Sequence, residues 1–268
     1  MKYLSILSLF FSYSLFASHC IEQSDDQGLA RWIHCSRHEM RLFPGSKNQR
    51  DVLWQIPQGE APSKGWPAVL LSQGSWFPVE FSRPSYLPFG GFNEVKLIRE
   101  LLDHGFAVIA PRATLNVGWI TNMPHGEYEK TADYQVLSEV LRLIGSGGFG
   151  RIDADSLYAT GISSGGYNTS RLVLTFPGAF RAIAIQSGSY ADCLGPLCGM
   201  PDTLPEAHPP TLFLHGQKDI AVPVSTAKKF HNYLKREGVE TEMIVDPEAR
   251  HAWIDAAPVA IRQWFSTH

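Results

Sequence analysis

The chain has 268 residues, of which 44% are hydrophobic and 18% charged, a balance that excludes disorder. Its 23 Gly and 18 Pro show no period, which excludes collagen-like and coiled-coil chains. The net charge of −3 leaves no basic surplus to neutralise phosphates, so no nucleic-acid partner is expected.

Met1-Lys2-Tyr3 opens the chain, and an apolar run broken only by Ser and Tyr follows from Leu4 to Ala17. One positive charge, a short apolar stretch and a small final residue predict a secretory signal peptide over residues 1–17. The run falls short of the ~20 apolar residues of a transmembrane helix. The mature chain is therefore expected to be soluble and outside the cytoplasm, secreted ahead of retained in the periplasm, with no transmembrane segment. Cys20 raises a lipoprotein reading, which His19 opposes because a small residue is wanted before the modified cysteine. Cys20, Cys35, Cys193 and Cys198 are an even set in an exported chain, so two disulfides are expected. Of the possible pairings, proximity favours Cys20–Cys35 and Cys193–Cys198. His34 and His38 flank Cys35, yet there is no CxxC pair and no second His at zincin spacing, so no metal is expected.

Residues 18–50 read as an N-terminal segment packed on a catalytic domain spanning 51–268. In chain order, strands are predicted at Val52–Ile56 and Ala68–Leu71, then a helix at Phe92–Asp103 with Gly105 just past its end. Phe106–Ala110 is the next strand, stopped by Pro111. A long amphipathic helix covers Glu129–Ile144. A strand at Leu157–Ile162 runs into a Gly-rich turn and a helix reaching Phe176. Strands follow at Ala182–Ile185 and Thr211–Leu214, a helix at Ser225–Glu237, a strand at Thr241–Val245 and a last helix at Asp255–Phe265. Uninterrupted apolar strands alternating with helices predict an α/β fold, its central sheet mostly parallel and covered by helices on both faces. Ligands of such sheets sit beyond the carboxyl ends of the strands.

Gly161-Ile162-Ser163-Ser164-Gly165 is a G-x-S-x-G elbow between a strand and a helix. The glycines allow a tight turn that holds the Ser163 hydroxyl out at a helix N-terminus, with Ser164 as the fallback nucleophile. A serine hydroxyl needs a general base. In this layout the partners follow in the order Ser, acid, His. Asp219 lies just past the strand Thr211–Leu214, and His251 lies in the loop between the last strand and the last helix. Ser163 would attack, His251 would carry the proton, and Asp219 would hold the imidazole tautomer. His215 is read as shaping the Asp219 loop. Two backbone N–H donors are needed at the developing oxyanion. Ser164 is expected to supply one. The loop Gln73-Gly74-Ser75-Trp76 should supply the other, from Ser75 or alternatively Trp76.

The string Gly161–Arg171, the run Ala184-Ile185-Gln186-Ser187 and the stretch His215–Pro223 resemble extracellular medium-chain-length polyhydroxyalkanoate depolymerases, which are bacterial α/β-hydrolases. The resemblance runs from about residue 60 to the C-terminus. It implies a secreted, cofactor-free serine hydrolase that cuts polyesters of 3-hydroxy acids, with Ser163, Asp219 and His251 in the catalytic roles. It implies a hydrophobic polyester surface, or an ester substrate, as the partner. An esterase for small soluble or carbohydrate-linked esters is the alternative. Trp76, Phe77, Phe81, Tyr86, Leu87, Phe89 and Phe92 cluster in and after the first loop. They are expected to line an acyl pocket, to face polymer, or to form an ordinary aromatic core. The sequon Asn168-Thr169-Ser170 lies inside the elbow helix and reads as packing.

Overall fold

The computed structural model describes residues 19–43, 49–122, 127–193 and 199–268. The expected signal peptide and Cys198 lie outside them. The described chain opens with β1 (Cys20–Ser24), β2 (Arg31–Cys35), β3 (His38–Leu42), β4 (Arg50–Gln55), β5 (Trp66–Ser72) and β6 (Ser82–Pro84). Helix α1 (Gly91–Asp103) follows. Then come β7 (Ala107–Pro111), α2 (Ala132–Gly145), β8 (Ile152–Ile162), α3 (Ser164–Thr175), β9 (Ala182–Gln186), β10 (Thr211–Gly216), α4 (Val224–Arg236), β11 (Thr241–Asp246) and α5 (Ala257–Thr267).

Eight strands form the main sheet in the order β11-β10-β9-β8-β5-β7-β4-β3. The six from β11 to β7 pair in parallel, while β4 and β3 join antiparallel at one edge. This is the α/β-hydrolase arrangement. Every residue of β7, β9 and β10 is buried, as strands covered on both faces require. Side chains alternate between two cores. Leu70, Ile185 and Phe213 pack with α2, α3 and α4 on one face. Leu71, Ala184 and Leu214 pack with α1 and α5 on the other.

A second, antiparallel sheet of order β1-β2-β6 lies against the α1 side. Short polar strands of this kind give no apolar run to read, and the sequence pattern does not show them. Cys20 and Cys35 are paired partners in β1 and β2 and form a disulfide, one of the two expected; Cys193 is also disulfide-bonded. The pattern likewise starts β8 too late. Asp153, Asp155 and Ser156 interrupt its first half, which extends the strand back to Ile152. Among the described residues no helix is long and apolar enough to cross a membrane.

Candidate active site

Strand β8 ends at Ile162 and α3 begins at Ser164, leaving Ser163 at φ 57° and ψ −123°. A non-glycine residue there costs ~1–3 kcal/mol and persists only where its surroundings over-determine it. The Ser163 N–H donates to the Gln186 carbonyl at 3.0 Å, and its own carbonyl accepts from Tyr167 N at 3.0 Å. A Cβ on Gly161 would stand 2.5 Å from the Gly165 carbonyl oxygen and 2.7 Å from that of Ser72. On Gly165 it would fall on the Ser72 and Gln73 carbonyl oxygens. The elbow closes only with glycine at both places. Asn168 and Thr169 are fully buried, and Asn168 Nδ2 donates to Ser72 Oγ at 3.0 Å. The sequon is packing inside the helix.

Asp219 and His251 come together from the loops after β10 and β11. The loops are bound by Gln217 N–H to Asp246 O at 2.8 Å and Lys218 N–H to Ala249 O at 2.9 Å. Asp219 Oδ1 accepts the Ala221 and Val222 N–H groups at 3.0 and 2.8 Å. Its Oδ2 lies 2.8 Å from His251 Nδ1. A carboxylate only accepts, so Nδ1 carries the proton and Nε2 keeps its lone pair. His215 is buried, donates from Nε2 to Val222 O at 2.8 Å, and stands 3.3 Å from Asp219 Oδ2. Burial opposes ionisation of Asp219, but the hydrogen bonds from His215, His251 and Val222 N–H outweigh it and hold its carboxyl below the usual range.

Ser163 and His251 both line one cleft of about 250 Å³, walled by Gly74, Ser75, Phe77, Phe89, Ile162, Ala221 and Trp253. The Phe89 ring stands edge-on to His251, with centroids 6.3 Å apart. The aromatic cluster of the sequence divides by place. Phe77 and Phe89 line the cleft, Phe81 and Phe92 are core, and Trp76 and Tyr86 are exposed.

Ser75 follows Gly74 in the loop just past β5 and lines the cleft beside Ser163. Ser164 begins α3, where the first N–H groups have no partner within the helix. The Trp76 N–H is engaged, donating to the Asn116 and Val117 carbonyls at 3.1 Å each. A strap over residues 113–120, which no local sequence pattern marks, braces Ser164 and the residues on either side of Gly74 and Ser75. Trp119 donates from its backbone to Ser164 Oγ at 2.9 Å and from its indole to Gln73 O at 3.1 Å. Gln73 accepts from Ala113 N at 3.0 Å and donates to Asn116 O at 3.2 Å.

Behind the aromatic wall lies a second feature the sequence pattern hides. Arg83 stacks over the Phe77 ring at 4.4 Å and pairs with Glu94 at 3.4 Å. The other Glu94 oxygen accepts the Trp253 indole N–H at 3.3 Å. Burial pushes the Glu94 carboxyl up to about 7, against the pull of Arg83 and Trp253.

The chain is 48% identical, over 96% of its length and 93% of the relative's, to a poly(3-hydroxyoctanoate) depolymerase of Pseudomonas fluorescens. The chain belongs to the poly(3-hydroxyoctanoate) depolymerase family. Residues 200–267, which hold Asp219 and His251, match the model of the prolyl oligopeptidase family. A truncated carbohydrate esterase from gut microbiota shares the fold at TM-score 0.62 and 15% identity, over 87% of this chain and 96% of that one. So does an S-formylglutathione hydrolase of Staphylococcus aureus, at 0.60 and 17%, over 87% and 98%. The depolymerase family is thus built here on a fold common to esterases.

Proposed function

We propose that this protein is a secreted serine esterase that hydrolyses the ester bonds of medium-chain-length polyhydroxyalkanoates. Ser163 Oγ attacks the ester carbonyl while His251 Nε2 takes its proton. The Ser75 and Ser164 N–H groups stabilise the tetrahedral oxyanion. His251 returns the proton to the departing hydroxyl end of the polymer, leaving an acyl-enzyme. Water then attacks, with His251 as base again, and releases the acid. Asp219 keeps His251 in the Nδ1–H tautomer and stabilises its charge. No cofactor enters these steps. Residues 51–268 are read as the catalytic unit, with 18–50 packed against it. The leader-like residues 1–17 and the Cys20–Cys35 disulfide support export.

The observation that carries the substrate reading is the apolar wall of the cleft. Phe77, Phe89, Ile162 and Trp253 stand beside Ser163, where the side chain of a 3-hydroxyalkanoate would lie. At about 0.8 kcal/mol per buried CH2, a pentyl in place of a methyl brings on the order of 3 kcal/mol, or roughly a hundredfold. The test is clearing of turbid poly(3-hydroxyoctanoate) and poly(3-hydroxybutyrate) suspensions, with Ser163→Ala alongside. Clearing of the octanoate polymer alone, abolished in Ser163→Ala, is the expected result. Clearing of neither, with Ser163-dependent cleavage of p-nitrophenyl esters, would overturn the polymer reading and leave a small-ester esterase.

A further inference from the structure

We infer that Gln186 is a positioning residue that ties the nucleophile elbow to the loop carrying His251. The inference rests on the roles proposed above for Ser163 and His251. Gln186 ends β9, beside the end of β8 in the sheet, and is fully buried. Its carbonyl accepts the Ser163 N–H at 3.0 Å. Its side chain reaches to the other loop. There Nε2 donates to Ala252 O at 2.8 Å and to Ser187 Oγ at 2.9 Å, and Oε1 accepts the Ile254 N–H at 3.3 Å. Ser187 Oγ donates to the same Ala252 carbonyl at 3.3 Å.

Two acceptors on one side and one donor on the other settle which way the amide faces. The residues it grips follow His251 directly. That loop lies between β11 and α5 and has no ladder or helix of its own to hold it. Asp219 restrains the imidazole through one ring nitrogen only. Lys218 N–H holds the loop before the ring at Ala249 O, and Phe89 O and Asn93 hold it after the ring at Trp253. Gln186 grips Ala252, the residue next to His251, from the strand that also accepts the Ser163 N–H, so Gln186 helps to set how far His251 Nε2 stands from Ser163 Oγ. A displacement of ~1 Å at such a site can cost ~100-fold in rate. Asn would fall one methylene short of Ala252. Met keeps the length without the hydrogen bonds. Glu keeps an acceptor for Ile254 but loses the donor to Ala252.

The experiment measures Gln186→Met and Gln186→Glu on p-nitrophenyl octanoate, after titrating active sites with a fluorophosphonate, with melting temperatures on the same samples. The expected result is a kcat per titrated site lowered at least tenfold in both variants, with KM within twofold. Titration removes misfolded molecules from the count, so lost packing alone does not move this number. A kcat per site within twofold of the parent, whatever the melting temperature, would overturn the inference. So would a raised KM with kcat retained, which marks a substrate contact. Ser163→Ala in the same assay separates the failures: if it stays active, the underlying roles fall rather than that of Gln186.

Discussion

Asp219 receives hydrogen bonds from two backbone N–H groups and from His251, with His215 close behind. Its carboxyl is held below the usual range, so its contribution to stability is present above the unfolded value near 4 and is lost as pH falls below it. Asp219→Asn should therefore flatten the loss of stability between pH 4 and 3, read from urea melts. The same change leaves an amide that can donate to His251 Nδ1 and select the wrong tautomer. Steady-state assays at pH 7 should show kcat lowered by about 10⁴-fold. That Ser163, Asp219 and His251 each follow a strand was legible in the sequence; the roles proposed for them rest on the variants above. His215 was legible as a strand-end residue, but its hydrogen bond to Val222 was not, since that contact depends on how the loop turns back.

At the scale of elements, two braces surround the cleft. In the 113–120 strap, a Cβ on Gly118 would stand 2.9 Å from Ser75 Oγ and 3.1 Å from Ser164 Oγ. Gly118→Ala should displace the Ser75 and Ser164 hydroxyls and the Trp119 N–H bond to Ser164 Oγ, disturbing the segments that carry the two proposed oxyanion donors. The expected outcome is a lowered kcat, bounded by the 10²–10³-fold usual for losing one such donor, together with a lowered melting temperature, because Gly118 sits at φ 156°. The second brace is the Arg83–Glu94 pair behind Phe77 and Trp253. Removing one partner of a buried pair costs about 3–5 kcal/mol. Arg83→Met should lose that much in urea denaturation at pH 8. The loss should shrink at pH 5, where Glu94, whose carboxyl titrates at about 7, is neutral in the parent as well. KM for p-nitrophenyl octanoate should rise, because Phe77 loses the guanidinium that covers it.

On the whole molecule, three strongly exposed apolar side chains lie on segments that touch the cleft-lining residues. Leu115 is 86% exposed, Ile220 92% and Trp76 74%. Leu115 belongs to the strap, and Ile220 adjoins Ala221 of the cleft wall. A soluble ester needs none of them, whereas the face of an insoluble polyester must rest on something. The Leu115→Ser, Ile220→Ser double variant should lose clearing of poly(3-hydroxyoctanoate) suspensions several-fold while keeping kcat/KM on p-nitrophenyl esters within twofold. Equal losses on both substrates would mean that the rim serves the chemistry rather than the surface.

Local patterning determined the α/β class of this chain, the order of its buried strands and the positions of the elbow, acid and histidine loops. Those features repeat along the chain at the period of a strand or helix, or sit at its punctuation, so composition and spacing reveal them. Only the tertiary structure decided the small β1-β2-β6 sheet, the division of the aromatics between core, cleft and surface, and the braces made by Gln73, Glu94 and Gln186. Each of these is a contact between segments distant in sequence. Glu94 meets Trp253 across 159 positions and Gln186 meets Ala252 across 66. A polar residue inside an apolar run carries no local sign of its partner. That partner is selected when burial forces every hydrogen-bonding group to be satisfied within the fold.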